Sequence, residues 1–227
     1  MSEDSPIYQL SQNDLLIYGL GSHAVLCHYY LTKYMNLSVK GFCISKKYRS
    51  IEKLSGLPVF SYDDLINSPL HHPCKVVIGV GYQGMNQLRT ELYAQFKNRG
   101  YTIQNVLGVE NDLLTHVNIG DGFFVDHGSM IHPFVNIGNN VSIVTSNIGH
   151  HSTIGDNSFI SGATIGGNVD IGRSVLVGMN AVVKDNVKIG DGTLIGMGSI
   201  IDHNTEPNSV YTAAKAVKRK IDSRRIR

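Results

Sequence analysis

Residues 165–201 read IGGNVDIGRSVLVGMNAVVKDNVKIGDGTLIGMGSII, and a branched aliphatic residue occupies every sixth position of this stretch. The same ladder extends back to Leu107, interrupted by two five-residue steps, from Ile143 to Ile148 and from Ile160 to Ile165. A fixed short period is typical of a solenoid, and a period of six fits neither an α-helix nor an alternating strand. The ladder comprises Leu107, Leu113, Ile119, Val125, Ile131, Ile137, Ile143, Ile148, Ile154, Ile160, Ile165, Ile171, Val177, Val183, Ile189, Ile195 and Ile201.

The other positions of each hexad indicate a coil with three flat sides. Glycine often follows the aliphatic residue, and a small or β-branched residue stands four positions after it. Each aliphatic side chain then points into a triangular prism, while the corners need backbone with positive φ, which Gly and Asn adopt most easily. We expect such corners at Asn140, Asn157, Asn168, Asn180 and Asn186.

This pattern resembles the left-handed parallel β-helix of the hexapeptide-repeat acyltransferases, an all-β fold, and we assign it to residues 108–204. The resemblance implies a homotrimer of prisms, with acetyl-CoA lying along the β-helix between neighbouring subunits. It also implies that a backbone N–H at Gly167 holds acetyl-CoA or stabilises the oxyanion of acyl transfer.

Basic residues gather after the repeat, in a C-terminal basic segment at residues 205–227. The period is lost there, and a short basic helix is expected from Ala213 to Ile221. The resemblance places the adenosine phosphates of CoA near Lys215, Lys218 and Arg219. A solvated tail without a ligand is the alternative interpretation of this charge.

Residues 1–107 alternate short apolar runs with helical patterns. Strands are predicted at residues 14–18, 38–44, 75–80 and 101–107. The helix before the last strand presents Leu88, Leu92 and Phe96 on one face. Strands alternating with helices predict a small Rossmann-like α/β domain with a parallel sheet.

A glycine loop, GLGSHA at residues 19–24, follows the first strand and opens a helix. Its glycines let the backbone approach a phosphate, which a helix N-terminus attracts. The dinucleotide fingerprint also needs an acid about twenty residues further on, where Cys43, Ile44 and Ser45 supply none. The spacing therefore argues against NAD, and a tight turn without a ligand stays open.

The loop and the repeat together resemble the sugar acetyltransferases that include bacillosamine N-acetyltransferases and sialic acid O-acetyltransferases. The resemblance implies that Gly19, Gly21, Ser22 and His23 help to hold a nucleotide-linked sugar. Nucleotide-sugar members often carry paired acids after the second strand, which this chain lacks. Tyr82, which follows a second glycine segment, either stacks on the base or sugar or caps the edge of the core.

Two adjacent histidines come soon after the first short step, in Gly149-His150-His151-Ser152. A break in a repeat is where function distorts a regular fold, and an imidazole is suited to take a proton from an attacking amine or hydroxyl. The resemblance matches His150 to the catalytic base and His151 to the position of a carboxylate that orients it. Asp156 is the nearest acid in sequence. A surface histidine at a coil corner is the alternative for His150.

His127 and His132 have the spacing H-x4-H, which resembles part of the zinc site of the γ-class carbonic anhydrases. A catalytic zinc of that kind needs a third histidine and an open position. That family has its third histidine near Leu88 to Leu92, where this chain has none. We therefore expect no metal.

The composition is that of a soluble globular protein, with 227 residues of which 42% are hydrophobic and 17% charged. A formal charge of +2 gives no reason to expect nucleic acid, and no apolar run is long enough to cross a membrane. Cys27, Cys43 and Cys74 indicate a reducing compartment rather than a disulfide framework. No apolar signal segment is visible at the N-terminus, so we predict a cytoplasmic protein.

Together the two parts predict an acetyl-CoA-dependent N-acetyltransferase for a nucleotide-linked amino sugar, serving surface-polysaccharide synthesis. The residues do not separate it from a sugar O-acetyltransferase of the sialic-acid type, because one base serves an amine or a hydroxyl. A non-catalytic β-helix scaffold that binds a nucleotide sugar is the alternative from another class. The sugar, the nucleotide and the acyl group stay open.

Overall fold

An α/β unit forms the N-terminal part of the chain, and a parallel β-helix follows it. The computed structural model describes residues 10–67, 74–108 and 114–218, with residues 220 and 224. Both parts of the predicted fold are confirmed.

Over residues 10–67 and 74–103, the α/β unit contains six strands, three α-helices and one short 3-10 helix. The elements are β1 Leu15–Tyr18, α1 Ser22–Lys33, β2 Gly41–Ile44, the 3-10 helix Lys46–Tyr48, β3 Lys53–Leu54, β4 Leu57–Ser61, α2 Tyr62–Ile66, β5 Lys75–Ile78, α3 Gln87–Asn98 and β6 Thr102–Ile103. The strand order is β3-β4-β2-β1-β5-β6, and every pair is parallel except β3 with β4. Because β1 lies in the centre, its carboxyl end opens at the point where the strand order reverses, the usual ligand site of such sheets.

The β-helix has three flat faces, which we call A, B and C in the order in which the chain visits them from β8 onward. Face A comprises β8 Asn118–Ile119, β11 Asn136–Ile137, β14 Thr153–Ile154, β17 Asp170–Ile171 and β20 Lys188–Ile189. Face B comprises β7 Val106–Leu107, β9 Phe124–Val125, β12 Ser142–Val144, β15 Phe159–Ser161, β18 Leu176–Val177, β21 Leu194–Ile195 and β23 Val210–Tyr211. Face C comprises β10 Met130–Ile131, β13 Asn147–Ile148, β16 Thr164–Ile165, β19 Val182–Val183 and β22 Ile200–Ile201.

The aliphatic ladder fills the inside of the prism. From Val125 to Ile201 every member of the ladder is buried, and the residues form one continuous hydrophobic core. The five asparagines predicted for corners all have positive φ, between 56° and 63°. The period therefore predicts both the interior and the turns, because each strand contributes one inward side chain and each corner needs one left-handed residue.

Both five-residue steps lie at the edge between faces B and C. Strands β12 and β15 are each three residues long, and the short turns after them contain Thr145 and Gly162 with positive φ. A buried carboxylate, Asp126, accepts hydrogen bonds from the N–H and the hydroxyl of Thr145, both at 2.8 Å, and so holds the first of these turns. The turn that carries His150, from Ile148 to Ile154, has the full six residues. The expectation that the broken period distorts the histidine turn is therefore wrong.

The strand predicted at residues 101–107 is two strands that belong to different sheets. In β6, Ile103 pairs with Val76 of the α/β sheet, whereas Val106 of β7 pairs with Phe124 on face B. Asn105 lies between them, donating to the carbonyl of Gly120 at 3.1 Å and accepting from the N–H of Phe123 at 2.9 Å. The chain thus passes from one sheet to the other within two residues, so the junction is short and hydrogen-bonded.

Helix α3 also joins the two units, and its inner face differs from the predicted one. Leu92 and Phe96 are buried as expected, but Leu88 is 51% exposed and the buried residue of that turn is Arg89. The Arg89 guanidinium donates to the carbonyl of Ile78 in β5 and, at 2.9 Å, to that of Gly122 in the β-helix. An arginine is suited to the inner face because its guanidinium donates to both carbonyls, and an apolar pattern in the sequence does not predict it.

Three more side chains of this region reach the β-helix. Buried Asn86, at the N-cap of α3, donates to the carbonyl of Asn157 at 2.9 Å. Further along the helix, the Tyr93 hydroxyl donates to Asp121 and the ammonium of Lys97 forms a salt bridge with the same carboxylate. The contacts of α3 therefore follow the edge between faces A and B.

The C-terminal segment continues the coil and then becomes irregular. The repeat does not end at Asp202, because β23 pairs with β21, with Val210 opposite Leu194. Residues 212–218 form no helix, so the predicted helix is wrong over residues 213–218. Arg219 and Ile221, at the end of its range, lie outside the described residues. Val217 is 85% exposed, and a short helix without an apolar surface to cover is marginal in water.

Candidate functional site

The glycine loop lines a cavity of about 510 Å³ at the carboxyl ends of β1 and β5. Gly19 has a φ of 119°, and a Cβ there would lie 2.7 Å from the carbonyl oxygen of Gly79, so the two glycine segments fit together only without side chains. All four predicted loop residues, Gly19, Gly21, Ser22 and His23, line this cavity. The structure therefore brings together the N-terminal half of the predicted site.

The start of α1 presents unpaired backbone donors to this cavity. Gly21 is the N-cap and supplies no side-chain hydrogen bond, and the first turn of α1 contains no acidic residue. The N–H groups of a helix start attract phosphate. Among the described residues, the cavity lining contains no Asp, Glu, Lys or Arg. Any phosphate bound here would thus be held chiefly by backbone.

His23 lies between the cavity and the buried Arg89. Burial and, to a smaller extent, the nearby Arg89 guanidinium together lower the pKa of His23 to about 4. The ring packs against Phe124 of face B, with 4.7 Å between the ring centroids. His23 is therefore a neutral imidazole at neutral pH.

Arg89 carries a buried charge for which the described residues supply no carboxylate. Only 3% of the residue is exposed, and burial lowers the pKa of its guanidinium to about 10. Its Nε has no hydrogen-bond partner within the described part of the chain. Arg89 was not found from the sequence, because its role depends on two carbonyls that are distant along the chain.

Two tyrosines near the glycine segments differ in position, since Tyr48 lines the glycine cavity whereas the predicted Tyr82 lines a separate pocket against face B. Tyr82 is half-exposed, and its ring packs on Phe159 of face B with 4.5 Å between centroids. Tyr48, in the 3-10 helix after β2, lines the cavity and is 61% exposed, with the ammonium of Lys47 4.7 Å from its ring centroid. Tyr48 was missed in the sequence, since nothing in the pattern of residues 46–48 marks it as lining the same space as the glycine loop.

The histidine pair lies at the edge between faces C and A. His150 and His151 occupy the turn between β13 and β14, and both are exposed. Their Nδ1 atoms are 3.1 Å apart, so the rings share one hydrogen bond. Asp156 lies elsewhere: its carboxylate accepts from the N–H of Asn139 at 2.6 Å, at the edge between faces A and B.

Gly167 lies directly above His150 in the next coil. A Cβ on Gly167 would be 2.8 Å from Cε1 and 3.0 Å from Nε2 of the His150 ring, so the imidazole occupies the space that a side chain would fill. The N–H of Gly167 donates to Asp185 Oδ1 at 2.6 Å. That N–H would have to weaken this bond to serve an oxyanion, whereas the missing side chain provides the space in which the His150 ring lies.

His151 is held from the coil below. It has a φ of 60°, its N–H donates to the carbonyl of Pro133 at 3.3 Å, and its ring lies 4.7 Å from that of Phe134. Phe134 is 55% exposed and also has positive φ. This aromatic contact was not predictable from the local sequence pattern, because the two residues are one coil apart.

The two halves of the predicted site lie on opposite sides of the same chain. The α/β unit packs on face B and its two edges, through Tyr82 on Phe159, Asn86 on Asn157 and the Tyr30 hydroxyl on Nδ1 of His127 at 3.0 Å. The histidine pair stands at the edge opposite face B. One chain alone therefore does not place its glycine cavity beside its own His150.

The remaining predicted residues show no ligand-like cluster. Lys215 and Lys218 are exposed in the irregular segment after β23, and Arg219 lies outside the described residues. No group of three or more His, Cys, Asp or Glu in the described ranges has an arrangement that would hold a metal ion. In those same ranges, no helix is long and apolar enough to span a membrane.

Comparisons with known proteins support the fold in both units. The family described as GMPPB C-terminal domain matches residues 111–216, and a search of curated protein sequences gives no match. Among solved structures, the acetyltransferase domain of PglB from Neisseria gonorrhoeae matches with a TM-score of 0.75 at 18% identity, covering 87% of this chain and 95% of that one.

Two further structures match over the same extent. A histidine-to-asparagine variant of perosamine N-acetyltransferase from Caulobacter crescentus, in complex with CoA and GDP-perosamine, has a TM-score of 0.76 at 20% identity, covering 88% of this chain and 94% of that one. WeeI from Acinetobacter baumannii has a TM-score of 0.69 at 22% identity, covering 87% and 95%. The β-helix is thus of the left-handed kind, joined to an α/β unit as in these proteins.

Proposed function

We propose that the protein is an acetyl-CoA-dependent N-acetyltransferase that acts on a nucleotide-linked amino sugar, with His150 as its general base. The observation that carries the proposal is the fit of both units, over 88% of the chain, to an N-acetyltransferase solved with CoA and GDP-perosamine. The PglB acetyltransferase domain, also similar, was solved with acetyl coenzyme A. The glycine cavity and the exposed histidine supply matching chemistry in this chain.

The chemistry of the step needs little beyond one base and good placement. The amine nitrogen of the sugar attacks the thioester carbonyl, the new C–N bond forms, and Nε2 of His150 takes the proton from nitrogen. The C–S bond then breaks, and the proton passes to the leaving CoA thiolate. Gly167 contributes the space in which the His150 ring lies, because a Cβ there would be 3.0 Å from Nε2 and would displace the ring.

The outward side chains of the three faces support the proposed homotrimer. Face A presents polar and charged residues to solvent, whereas face C presents only uncharged ones, including Met130, Val182 and Ile200, which are 58%, 42% and 77% exposed. The part of face B formed by β18, β21 and β23 is also apolar. Met179 and Met197 are exposed at the edge between faces B and C. Packing face C of each protomer on face B of the next would bury these surfaces around a three-fold axis.

This packing would complete the site. In this trimer the edge between faces B and C of each protomer lies at the axis. The edge between faces C and A, which carries His150, then meets the edge between faces A and B of the neighbouring protomer. His150 and Phe159 belong to the same coil, so His150 would stand at the height of the neighbour's Tyr82. The loop that carries Tyr82 also lines the glycine cavity, so the base of one protomer would serve the sugar bound by its neighbour.

The finer assignments are also part of the proposal. In the α/β unit, Gly19, Gly21, Ser22 and His23 hold the nucleotide diphosphate. Near the C-terminus, Lys215, Lys218 and Arg219 hold the CoA phosphates. The product serves surface-polysaccharide synthesis in the cytoplasm. Three free, buried cysteines, whose thiol pKa values burial raises, fit a reducing compartment.

The test is a thiol-release assay with acetyl-CoA and a panel of UDP-, GDP- and dTDP-linked amino sugars. The same sugars with a hydroxyl in place of the amine are the matched controls. We expect release of one thiol for each N-acetyl product, and resistance of that product to hydroxylamine. A hydroxylamine-labile product would establish O-acetylation instead. Binding of the nucleotide sugar without any binding of CoA would establish a scaffold and refute the enzyme.

A further inference from the structure

The turn between β10 and β11 lies one coil below the histidine turn and differs in chemistry from the three turns directly above it. Each of these four turns carries a pair of residues at the corner between faces C and A. From the lowest coil upward, the pairs are Pro133-Phe134, His150-His151, Gly167-Asn168 and Asp185-Asn186. Only the lowest of these four pairs is wholly apolar, and we call it the apolar corner.

Phe134 occupies the left-handed position of this corner, which does not suit a bulky side chain. Its φ is 68°, against 56° at Asn168 and 63° at Asn186 in the same column. Asparagine and glycine tolerate this region, whereas a large residue there is unusual. Residues held in such conformations cluster at functional sites. Because asparagine would serve the coil better, the aromatic ring points to a role outside the packing of the prism.

The ring of Phe134 has aromatic neighbours below and above and is open to solvent on its outer side. Its centroid lies 5.9 Å from that of His116 and 4.7 Å from that of His151. The residue is 55% exposed, and Pro133 beside it is also exposed. Within residues 114–118 and 130–136, all of them described, there is no Lys, Arg, Asp or Glu. The apolar corner is therefore a small platform without formal charge, next to the proposed base.

The two substrates of the proposed reaction would reach His150 from opposite ends of this edge. The CoA phosphates would lie toward Lys215 and Lys218, which follow β23 in the last coil, so the thioester would come from above. The α/β unit contacts face B from Phe124 up to Phe159, which is in the coil of His150. The sugar would thus arrive at this height or from below. Neighbouring coils are about 4.8 Å apart, roughly the width of a pyranose ring, so a sugar with its amine at Nε2 of His150 would extend over the apolar corner.

We propose that Pro133 and Phe134 form a specificity-determining platform, which packs on the C–H face of the sugar ring and selects a neutral amino sugar. This inference rests on the function proposed above. The C–H groups of a sugar and an aromatic ring bury apolar surface against each other. A sugar acid would bring a carboxylate to a corner where the described residues offer it no cation, and an unpaired buried charge is costly. Uronic and sialic acids should therefore be poor substrates.

Phe134→Asn removes the platform and gives the corner the residue that the next two coils above the histidine turn use. KM for the nucleotide-linked amino sugar should rise by about 3- to 10-fold with kcat nearly unchanged, because a contact made equally in the ground state and the transition state is lost. Thermal stability should not fall, and the oligomeric state should not change in sedimentation. An unchanged KM in the folded variant would overturn the proposal. Dissociation of the oligomer would also overturn it, by making Phe134 an interface residue.

Phe134→His is the conservative control. Histidine keeps a planar ring and tolerates the left-handed region. At a pH where the new imidazole is neutral, KM for the sugar should stay near that of the wild type. A rise in KM equal to that of Phe134→Asn would show that the aromatic face is not what the sugar contacts, and the platform would be refuted.

A matched pair of substrates tests the selection for neutral sugars. An amino sugar and the amino uronic acid on the same nucleotide differ only in a carboxylate at C6. In the wild type kcat/KM should be lower for the acid by about 10-fold or more. Phe134→Asn should narrow this ratio, because its amide can donate to the carboxylate. Equal kcat/KM for the two sugars in the wild type would contradict the proposed selection.

Binding without turnover keeps the inference separate from the proposed function. Calorimetry compares UDP, GDP or dTDP with the same nucleotide carrying the amino sugar. The sugar should increase the affinity of the wild type and add less in Phe134→Asn. That result without acetyl transfer from acetyl-CoA would refute the enzyme but support the platform. Normal turnover, with the sugar adding equally to affinity in both proteins, would leave the enzyme standing and refute the platform.

Discussion

The contact between Gly167 and His150 allows the proposed base to be displaced without being removed. In Gly167→Ala the new Cβ would lie 2.8 Å from Cε1 of His150. Carbon atoms pack best at about 3.5–4.0 Å, so the ring must move by roughly 1 Å. A displacement of that size in a catalytic group costs up to about 10²-fold in rate. We therefore expect kcat to fall by about 10- to 100-fold.

The stability of Gly167→Ala should change little. The φ of Gly167 is not positive, and its N–H can still donate to Asp185. Gly128→Ala is the matched control, since its Cβ would meet Thr145 no closer than 3.4 Å at a different edge of the prism. Thiol-release kinetics and thermal unfolding of both variants give the result. Wild-type turnover in a folded Gly167→Ala would refute the claim that the His150 ring must keep its place.

Three other changes test the site and the α/β unit. His150→Asn should lower kcat by about 10²–10⁴-fold without changing CoA affinity measured by calorimetry, and near-normal turnover would exclude His150 as the base. Charge reversal of Lys215 and Lys218 should raise KM for acetyl-CoA and leave kcat nearly intact; an unchanged KM would make this segment a solvated tail. The pKa of His23 is lowered to about 4 in the folded state, against about 6.5 in the unfolded chain. Because the unfolded chain therefore takes up the proton first, the free energy of unfolding should fall by about 2–3 kcal/mol as the pH falls from 7 to 4.5. Urea unfolding of His23→Gln should show a smaller loss over that interval, and an equal loss would show that His23 is not buried as described.

The prism could be predicted from sequence because its determinants are local and repeated. Each strand needs one branched inward residue and each corner one residue that accepts positive φ, so the ladder and the asparagines specify the coil. The two shortened steps, from Ile143 to Ile148 and from Ile160 to Ile165, lie where the period predicts them. The expectation that the first step distorts the histidine turn was wrong, because that turn keeps all six residues and the missing residue is accommodated at the edge between faces B and C.

The candidate site was predictable only where a single turn contains it. His150, His151 and the glycine loop stand in short motifs, and the structure places the loop in a cavity and the histidines in contact. Arg89, Tyr48 and Phe134 act through partners that are one coil away or in another unit. Their positions depend on how the sheet edge, the helix and the prism pack, and no period in the sequence encodes that packing.

Under the proposed function, helix α3 would fix the distance between the bound nucleotide and the catalytic base. Because Asn86, Arg89 and Tyr93 anchor this helix to the edge of the prism, the glycine cavity would keep one position relative to the histidine edge of the neighbouring protomer. The span between the bound nucleotide and the base would then be constant. A sugar amine would be reached only when the linkage to the nucleotide has the right length. A free amino sugar, or one carried on a longer phosphate chain, would bring its nitrogen to the wrong height along the prism.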